Sequence, residues 1–506
     1  MNGQPSYVLA IDQGTSSTKT LVFDAAGKPV ARASEPLTTL YKDGGLVEQD
    51  PEEIYGNVLA SIRKSLQDLE SKGFDKAAIK ACGISNQRET FVVWDAQTGK
   101  PLYNALVWQC KRSVQICERL KREGLEPLVR ARTGLLIDPY FSGTKLMWLY
   151  ENEPRIRQAI DKGTACFGTV DSWLLYRFTK GEGYLTDYTN ASRTLFFNLE
   201  ELAWDRELLE RFGFPRLRLP QPRPSSSHFG YTDLNGSLPG PIAITALIGD
   251  SHAAAFGEGC FSPGTAKATL GTGCSIIMNT GAAVPLESRN GMVATICWST
   301  EERIDYALEG VIVTCGATIE WLKNGLGLIS DSRQTEVMAQ SVPDNGGVYL
   351  VPAFSGLGAP HWDMKSKAAI SGLNFGSSKN HIVRAALESI PYQIKDVVMA
   401  MNADAGIELQ RLMVDGGITS NGFVLRFLAD LLQREVVSID MPDVSALGAA
   451  YLAGLKAGVY KGLDQLEGFS AGKNGLSPKP AESMHDWYAG WQRAVERCVE
   501  PARSLA

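Results

Sequence analysis

The sequence has 506 residues, of which 44% are hydrophobic, so it is too long for one ordinary hydrophobic core and indicates two domains. Its 50 basic and 56 acidic residues leave a net charge of -6 and are mixed along the chain without a basic block, which argues against a nucleic-acid partner. No apolar run approaches the roughly 20 residues of a membrane span, and the first residues lack the pattern of a signal peptide. We therefore expect a cytoplasmic protein with no membrane partner.

The nine cysteines and five histidines are dispersed along the chain. There is no CxxC pair, no HExxH motif and no histidine and cysteine set with the spacing of zinc ligands. We expect reduced structural thiols, and Cys82, Cys274 and Cys315 lie among small or apolar residues that indicate burial. A transition metal held by protein side chains is not expected.

The first predicted elements are three antiparallel strands within residues 7–34 (YVLAIDQGTSSTKTLVFDAAGKPVARAS), because apolar runs flank two glycine-containing turns. A helix is predicted to begin at Pro51, since proline and the two glutamates after it suit a helix amino terminus and helical spacing follows. Residues 77–85 (AAIKACGIS) then indicate another strand. The first half is therefore predicted to be α/β.

The second half repeats this opening. Residues 264–279 (GTAKATLGTGCSIIMN) again give a strand, a turn rich in glycine and threonine, and a strand. Residues 303–310 and 346–354 indicate further strands, and residues 316–327 and 381–401 indicate helices. The second half is therefore also predicted to be α/β, and the repeat is a faint internal symmetry.

The boundary between the two predicted domains lies near residue 255, which gives domains of residues 1–255 and 256–506. Residues 221–230 (QPRPSSSHFG) are rich in proline and serine, and we interpret them as a surface connection.

Three polar turns follow predicted strands and could surround phosphate oxygens with backbone N–H groups and hydroxyls: residues 12–19 (DQGTSSTK), 271–273 (GTG) and 415–421 (DGGITSN). Asp12 could hold Mg²⁺ through water, and Asn421 is either an adenine contact or the N-cap of the next helix. Each turn alone is typical of an ordinary hairpin. Together they describe an ATPase with a phosphate turn in each domain, and the P-loop and protein-kinase motifs are absent from the sequence.

Phosphoryl transfer to an alcohol needs a carboxylate near the reacting hydroxyl. Asp250 is the candidate, although an Asp before a helical segment is also an ordinary N-cap. Arg88 and Glu89 could offer donors and acceptors to neighbouring hydroxyls, or could form a surface ion pair. Trp108 and Tyr140 could form an aromatic wall for a small polyol, or could be core aromatics.

Several of these segments together resemble the FGGY family of carbohydrate kinases. They include AIDQGTSSTK, GISNQRETFVVWD, DPYFSGTKLMWL, TDYTNASRT and VYLVPAFSGLGAPHWD, and the similarity runs to about Gly454. The resemblance implies a two-domain α/β actin-like ATPase (ribonuclease H-like) fold with ATP and Mg²⁺ in the interdomain cleft. It further implies transfer of the γ-phosphoryl group to a terminal hydroxyl of a small polyol, with glycerol the leading candidate.

The resemblance also assigns site residues, with Asp250 as the general base. The polyol-binding positions are Arg88, Glu89, Trp108, Tyr140, Asp250 and Ser251. The first phosphate loop is Thr15, Ser16, Ser17 and Lys19, with Asp12 in the metal environment. The remaining nucleotide positions are Thr272, Gly316, Glu320, Gly417 and Asn421.

Two substrate-side positions depart from the family pattern. Ser251 and Ser275 stand where a glutamine and a phenylalanine are usual in relatives that phosphorylate glycerol, so the pocket is predicted to be larger and more polar. The first alternative is therefore an FGGY kinase for a longer polyol or a ketose, such as erythritol, another alditol or xylulose. A remote alternative is an actin-like ATP-binding protein for assembly or sensing. The resemblance also suggests a homodimer or homotetramer.

Overall fold

The computed structural model describes residues 5–286, 288–439, 441–470, 474–480 and 482–503. The strands of the first half are β1 (Tyr7–Gln13), β2 (Ser17–Phe23), β3 (Pro29–Pro36), β4 (Leu40–Lys42), β5 (Leu46–Gln49), β6 (Ile79–Asn86), β7 (Phe91–Asp95), β8 (Ala105–Leu106), β9 (Ala165–Thr169), β10 (Leu185–Asp187), β11 (Phe197–Asn198), β12 (Ala203–Trp204), β13 (Gln221–Arg223), β14 (Ser226–Thr232) and β15 (Ile242–Gly249). Its helices are α1 (Pro51–Ser71), α2 (Val114–Arg122), α3 (Glu126–Thr133), α4 (Ser142–Asn152), α5 (Pro154–Asp161), α6 (Val170–Phe178), α7 (Tyr188–Ala191), α8 (Arg206–Arg211) and α9 (Asp250–Gly257).

The second half follows the same alternation of strands and helices. Its strands are β16 (Thr265–Leu270), β17 (Cys274–Gly281), β18 (Val293–Ser299), β19 (Ile304–Ile312), β20 (Tyr349–Val351), β21 (Ala369–Ser371), β22 (Arg411–Asp415), β23 (Glu435–Ser438) and β24 (Asn474–Leu476). Its helices are α10 (Ala317–Asn324), α11 (Gln334–Gln340), α12 (Lys379–Ala405), α13 (Gly422–Leu432), α14 (Val444–Lys456), α15 (Leu463–Ser470) and α16 (Ser483–Arg503).

The first half is organised around a six-stranded sheet in the order β14-β15-β6-β1-β2-β3. Strands β1, β2 and β3 pair antiparallel, which confirms the predicted opening, and β6 lies parallel to both β1 and β15. Every residue of β1 is buried, as is typical of a strand that is covered on both faces. The amino-terminal sheet therefore has a buried centre, and the turn after β1 lies at the carboxyl end of this central strand.

The second half is organised around a seven-stranded sheet with equivalent connections. Strands β16 and β17 form an antiparallel hairpin, β17 pairs with β19, and β16 lies parallel to β22. Strand β22 in turn lies parallel to β23. The hairpin followed by parallel strands repeats the plan of the first sheet, and this agrees with the internal symmetry that the sequence indicates.

Local sequence explains where the first long helix begins. Asp50 is the N-cap of α1 and accepts a hydrogen bond from the backbone nitrogen of Glu52, while Pro51 occupies the first helical position. The apolar side of the helix, which includes Ile54, Val58 and Ile62, is buried against β2 and β3. The predicted start of this helix is confirmed.

The prediction of a surface connection at residues 221–230 is wrong. Most of this segment lies in β13 and in β14, the edge strand of the amino-terminal sheet, and Ser225, Ser226 and Ser227 are buried. Two of these three buried hydroxyl groups have hydrogen-bond partners, since Ser225 donates to Asp187 and Ser226 donates to a backbone carbonyl. Composition alone did not reveal these partners.

Two further expectations can be compared with the structure. All nine cysteines are free thiols, and Cys82, Cys274 and Cys315 are buried as predicted. None of the helices in the described part of the chain combines the length and the apolar character of a membrane span.

Candidate active site

A buried cluster of charged side chains lies at the end of β6. Arg88 and Glu89 form the turn between β6 and β7, and both are almost completely buried rather than on the surface. The Arg88 Nη2 atom lies 2.7 Å from Glu309 Oε1 on β19, and Arg193 Nη2 lies 2.8 Å from Glu309 Oε2. Arg193 Nε also lies 2.5 Å from Glu89 Oε1. Two arginines and two glutamates therefore form one chain of ion pairs that joins the two halves of the protein.

The charges of this cluster balance one another. Burial alone would raise the pKa of Glu309, but Arg193 and Arg88 hold that pKa well below its usual range. Burial raises the pKa of Glu89. Among the described residues, Arg88 Nη1 and Arg193 Nη1 are buried without a hydrogen-bond partner. A buried donor without a partner is costly, so these two N–H groups are suited to donate hydrogen bonds to the hydroxyl oxygens of a ligand.

Asp250 lies beside this cluster at the start of α9. Its Oδ1 atom lies 3.5 Å from Arg88 Nε and accepts a hydrogen bond of 2.6 Å from the backbone nitrogen of Ser251. The side chain is 37% exposed. The N-cap of α9 is Gly249 and Asp250 is the first helical residue, so the alternative interpretation of Asp250 as an ordinary N-cap is wrong. The carboxylate is therefore next to the arginine and accessible to a small ligand.

Two aromatic side chains form a wall near the cluster. The rings of Trp108 and Tyr140 meet edge to face, with their centroids 5.6 Å apart. The Trp108 indole nitrogen donates to Thr15 Oγ1 at 2.9 Å, and the Arg193 guanidinium lies 5.8 Å from the centre of the Tyr140 ring. Burial raises the pKa of Tyr140 far above its ordinary value, so its hydroxyl remains protonated. The structure thus brings the predicted polyol wall and the first phosphate loop into contact.

The two serines that depart from the family pattern have different surroundings. Ser275, on β17, donates from Oγ to Glu309 Oε1 at 3.2 Å. Ser251, on the first turn of α9, is half-buried, and its neighbour His252 is fully buried. Ser275 therefore presents a hydroxyl to the charged cluster where a larger apolar side chain would present none.

The predicted first phosphate loop is the turn between β1 and β2. The backbone nitrogen of Gly14 donates to the carbonyl of Ser17 at 3.0 Å, and Gln49 donates to the carbonyl of Thr15 at 2.8 Å. Ser16 is exposed at the tip of the turn. Lys19 forms an ion pair of 3.0 Å with Asp443, so part of its charge is already compensated before any phosphate binds.

Asp12 is a carboxylate suited to the binding of a hard cation such as Mg²⁺. It is almost fully buried at the end of β1 and accepts a hydrogen bond of 3.1 Å from Ser85. Burial raises the pKa of Asp12 to about 6; Lys19 lowers it and Asp250 raises it further. Magnesium in phosphoryl-transfer sites is commonly held by one or two carboxylates together with water and phosphate oxygens, and Asp12 fits that pattern. The described residues contain no group of three or more metal-ligating side chains.

The predicted nucleotide positions of the second half share one cavity of about 690 Å³. The β16–β17 hairpin and Gly417 line this cavity, and the adjacent Gly416 has a φ of 96° and passes close to the backbone of Leu270. Asn421 lines the cavity and is also the N-cap of α13, accepting from the nitrogen of Val424 at 3.2 Å. The five predicted positions on the cavity wall are Thr272, Gly316, Glu320, Gly417 and Asn421.

Sequence analysis missed two members of the charged cluster, Glu309 and Arg193. Glu309 lies in the apolar strand segment YALEG, and a charged residue within a buried strand is a signal that could have been used. Arg193 belongs to TDYTNASRT, a segment that contributed only to the family resemblance. Their roles depend on contacts with residues far away in the chain.

Two α/β halves of equivalent sheet topology, each with a hairpin rich in glycine and hydroxyl side chains, define a two-domain actin-like ATPase fold. The accessible carboxylate of Asp250 beside the charged cluster suits a phosphotransferase with an alcohol group as acceptor. Residues 7–257 match the model for the amino-terminal domain of the FGGY family of carbohydrate kinases, and residues 266–457 match the model for the carboxy-terminal domain. The chain belongs to this family.

Individual relatives agree with this assignment. Glycerol kinase from Carboxydothermus hydrogenoformans is 47% identical over 495 residues, which cover 98% of each chain. Glycerol kinase from Pseudomonas putida is 46% identical over 493 residues, 97% of each chain. The crystal structure of Plasmodium falciparum glycerol kinase with ADP superposes with a TM-score of 0.93 at 35% identity and covers 98% of both chains. Xylulose kinase from Rhodospirillum rubrum shares the fold, with a TM-score of 0.87 at 22% identity.

Proposed function

We propose that this enzyme transfers the γ-phosphoryl group of ATP to a terminal hydroxyl of glycerol, forming sn-glycerol 3-phosphate and ADP. The observation that carries the proposal is the buried cluster of Arg88, Glu89 and Glu309 beside the accessible carboxylate of Asp250. Unpartnered guanidinium N–H groups suit the neighbouring hydroxyls of a small polyol, and the Trp108 and Tyr140 rings suit its carbon chain. The identity to glycerol kinases over almost the whole chain supports the same substrate.

In the proposed mechanism, Arg88 and Glu89 orient the polyol so that one hydroxyl points toward the nucleotide. Asp250 accepts the proton of that hydroxyl while the oxygen attacks the γ-phosphoryl group. Backbone N–H groups of the turns at residues 14–17 and 271–273, with Lys19, stabilise the phosphate charge. Closure of the two halves brings the two substrates together and excludes water.

The predicted cofactors are ATP and Mg²⁺. When bound, Mg²⁺ neutralises phosphate charge, and Asp12 would hold it through water. Thr272, Gly316, Glu320, Gly417 and Asn421 would contact the nucleotide. The role of each of these residues stays a prediction, as do the domain boundary near residue 255 and a homodimer or homotetramer. Consumption of ATP and nine free cysteines support the predicted cytoplasmic location.

A second candidate function is phosphorylation of a longer polyol or a ketose, because Ser275 adds a hydroxyl to the charged cluster. Such a group can bind one more substrate hydroxyl and leaves space that a phenylalanine would fill. The proposal for glycerol is therefore tested against erythritol, xylitol, ribitol and xylulose.

The test is ADP release by the purified enzyme with each acceptor at matched concentrations. We expect the highest kcat/KM with glycerol. A higher value with erythritol or a longer acceptor would contradict glycerol as the substrate and support the second candidate. ATP hydrolysis that does not depend on any acceptor would instead favour the remote alternative of an assembly or sensing ATPase.

A further inference from the structure

Asp187 is a buried carboxylate that the mechanism above does not use. It lies at the N-cap of the short helix α7 and is fully buried, and no lysine or arginine of the described chain forms an ion pair with it. Its oxygens instead accept five hydrogen bonds, from Thr189 N (3.0 Å), Thr189 Oγ1 (2.7 Å), Asn190 N (3.0 Å), Asn190 Nδ2 (2.8 Å) and Ser225 Oγ (2.7 Å). Burial raises the pKa of Asp187, and these donors oppose that rise. A buried carboxylate that accepts five hydrogen bonds fixes the orientation of each donor group.

One branch of this network ends at Gly249. The Thr189 hydroxyl donates its single proton to Asp187 Oδ2 at 2.7 Å. The lone pairs of Thr189 Oγ1 then face away from Asp187, and this oxygen accepts a hydrogen bond of 2.9 Å from the backbone N–H of Gly249. Gly249 immediately precedes Asp250 and is the N-cap of α9. Asp187 therefore determines how the first turn of the helix that carries Asp250 is held.

The other branch ends at Gln87. Because Asp187 accepts a hydrogen bond from Asn190 Nδ2, the amide of Asn190 has a defined orientation, and its oxygen points away from Asp187. That oxygen accepts from Asn86 Nδ2 at 2.9 Å, and Asn190 Nδ2 donates to Asn86 Oδ1 at 3.0 Å. The Asn86 amide nitrogen also donates to the carbonyl of Gln87 at 2.9 Å. Gln87 immediately precedes Arg88, so this branch ends at the loop of the charged cluster.

We propose that Asp187 is a positioning residue for phosphoryl transfer, which holds the loop of Arg88 and the helix of Asp250 in a defined relative position through Asn190 and Thr189. The inference rests on the proposed function, because it assigns Arg88 to acceptor binding and Asp250 to proton transfer. The two branches are fully buried and separate, so each can be interrupted without touching a residue that contacts substrate. Interrupting the Thr189 branch should therefore affect a different kinetic constant from interrupting the Asn190 branch.

The test compares three variants at saturating ATP. Thr189→Val removes the acceptor for Gly249 N–H, and we expect kcat to fall at least about tenfold with glycerol KM within about twofold, since misplaced catalytic groups slow the chemical step. Asn86→Leu removes the second branch, and we expect glycerol KM to rise at least about tenfold with a smaller change in kcat. Ser225→Ala is the matched control, because it removes one hydrogen bond from the same carboxylate oxygen, together with a contact of 3.2 Å to Ser299 Oγ, and the Ser225 side chain contacts neither branch. Its constants should stay within about twofold of wild type.

The possible outcomes distinguish a failure of the positioning role from a failure of the proposed function. Unchanged constants in Thr189→Val and Asn86→Leu, or the same loss in all three variants together with a lower melting temperature, would overturn the positioning role. Thr189→Ser, which keeps the hydroxyl, should restore kcat. If Thr189→Val is insoluble, Thr189→Ala takes its place, and the same fall in kcat with little change in glycerol KM is expected. A wild-type enzyme without glycerol-dependent turnover would show instead that the proposed function is wrong.

Discussion

Asp250 differs from Glu89 and Glu309, the two carboxylates of the charged cluster, in its ion-pair distances and its exposure. Glu89 and Glu309 each form an ion pair of 2.8 Å or less with a buried guanidinium group. Asp250 lies 3.5 Å from Arg88 and is partly exposed. A general base needs a lone pair that is not occupied by an ion pair, and it must reach the reacting hydroxyl. The geometry therefore favours Asp250 over either glutamate.

Replacing the base should impair chemistry far more than binding. We expect Asp250→Asn to lower kcat by about 100-fold or more and to change the KM for ATP little, because the amide keeps the size of the side chain but cannot accept the proton. Asp161→Asn is the control, since Asp161 is an exposed carboxylate that accepts a hydrogen bond from Tyr150 and is not part of the charged cluster. Steady-state kinetics with both variants check this, and normal kcat in a folded Asp250→Asn enzyme would rule out the assigned base.

At the scale of elements, the two glycines after β22 have different structural requirements. A Cβ atom on Gly416 would lie 2.5 Å from the carbonyl oxygen of Leu270, and the φ of 96° is unfavourable for other residues. A Cβ atom on Gly417 would meet no atom of the described residues within 4 Å, and Gly417 lines the cavity of the predicted nucleotide positions. The first glycine is therefore required by the fold, and the second leaves space in the cavity.

This difference gives a paired prediction. Gly417→Leu should raise the KM for ATP about tenfold or more by filling the cavity, with the free energy of unfolding within about 1 kcal/mol of wild type. Gly416→Ala should lower the free energy of unfolding by about 1–3 kcal/mol through backbone strain. Urea denaturation and ATP titration of both variants separate the two effects. Normal ATP affinity in Gly417→Leu would exclude this cavity as the nucleotide site.

Sequence patterns predicted the elements that carry their own local signals. The hairpins after β1 and β16 and the helix at Pro51 were predictable because their turn and capping residues are adjacent in the chain. The buried edge strand β14 was not, since the hydroxyl groups around its start find partners far away in the chain, Asp187 for Ser225 and the Leu452 carbonyl for Ser226. Glu309 and Arg193 were missed for the same reason, because ion pairs between distant strands and loops leave no periodic pattern.

At the scale of the whole molecule, helices α9 and α14 lie between the two sheets. Their side chains share one hydrophobic core with Val8 and Ala10 of the first sheet and Ile277 and Met413 of the second. Helix α14 belongs to the second half of the chain, yet it packs on β1, β6 and β15 of the first sheet. The helix that carries Asp250 is thus held by an element from the other half, and the two halves are coupled at the site.

Close contact between these helices depends on Gly448. A Cβ atom there would lie 1.8 Å from the carbonyl oxygen of Ala253 on α9. We expect Gly448→Ala to lower the free energy of unfolding by about 3 kcal/mol and to reduce kcat, because the helices must separate and Asp250 moves with α9. Gly468→Ala is the matched control, since a Cβ atom on this helical glycine would meet no atom of the described part of the chain within 4 Å, and alanine there should stabilise by about 0.5–1 kcal/mol. Urea denaturation and kcat measured on both variants test the coupling, which an equally stable and active Gly448→Ala enzyme would refute.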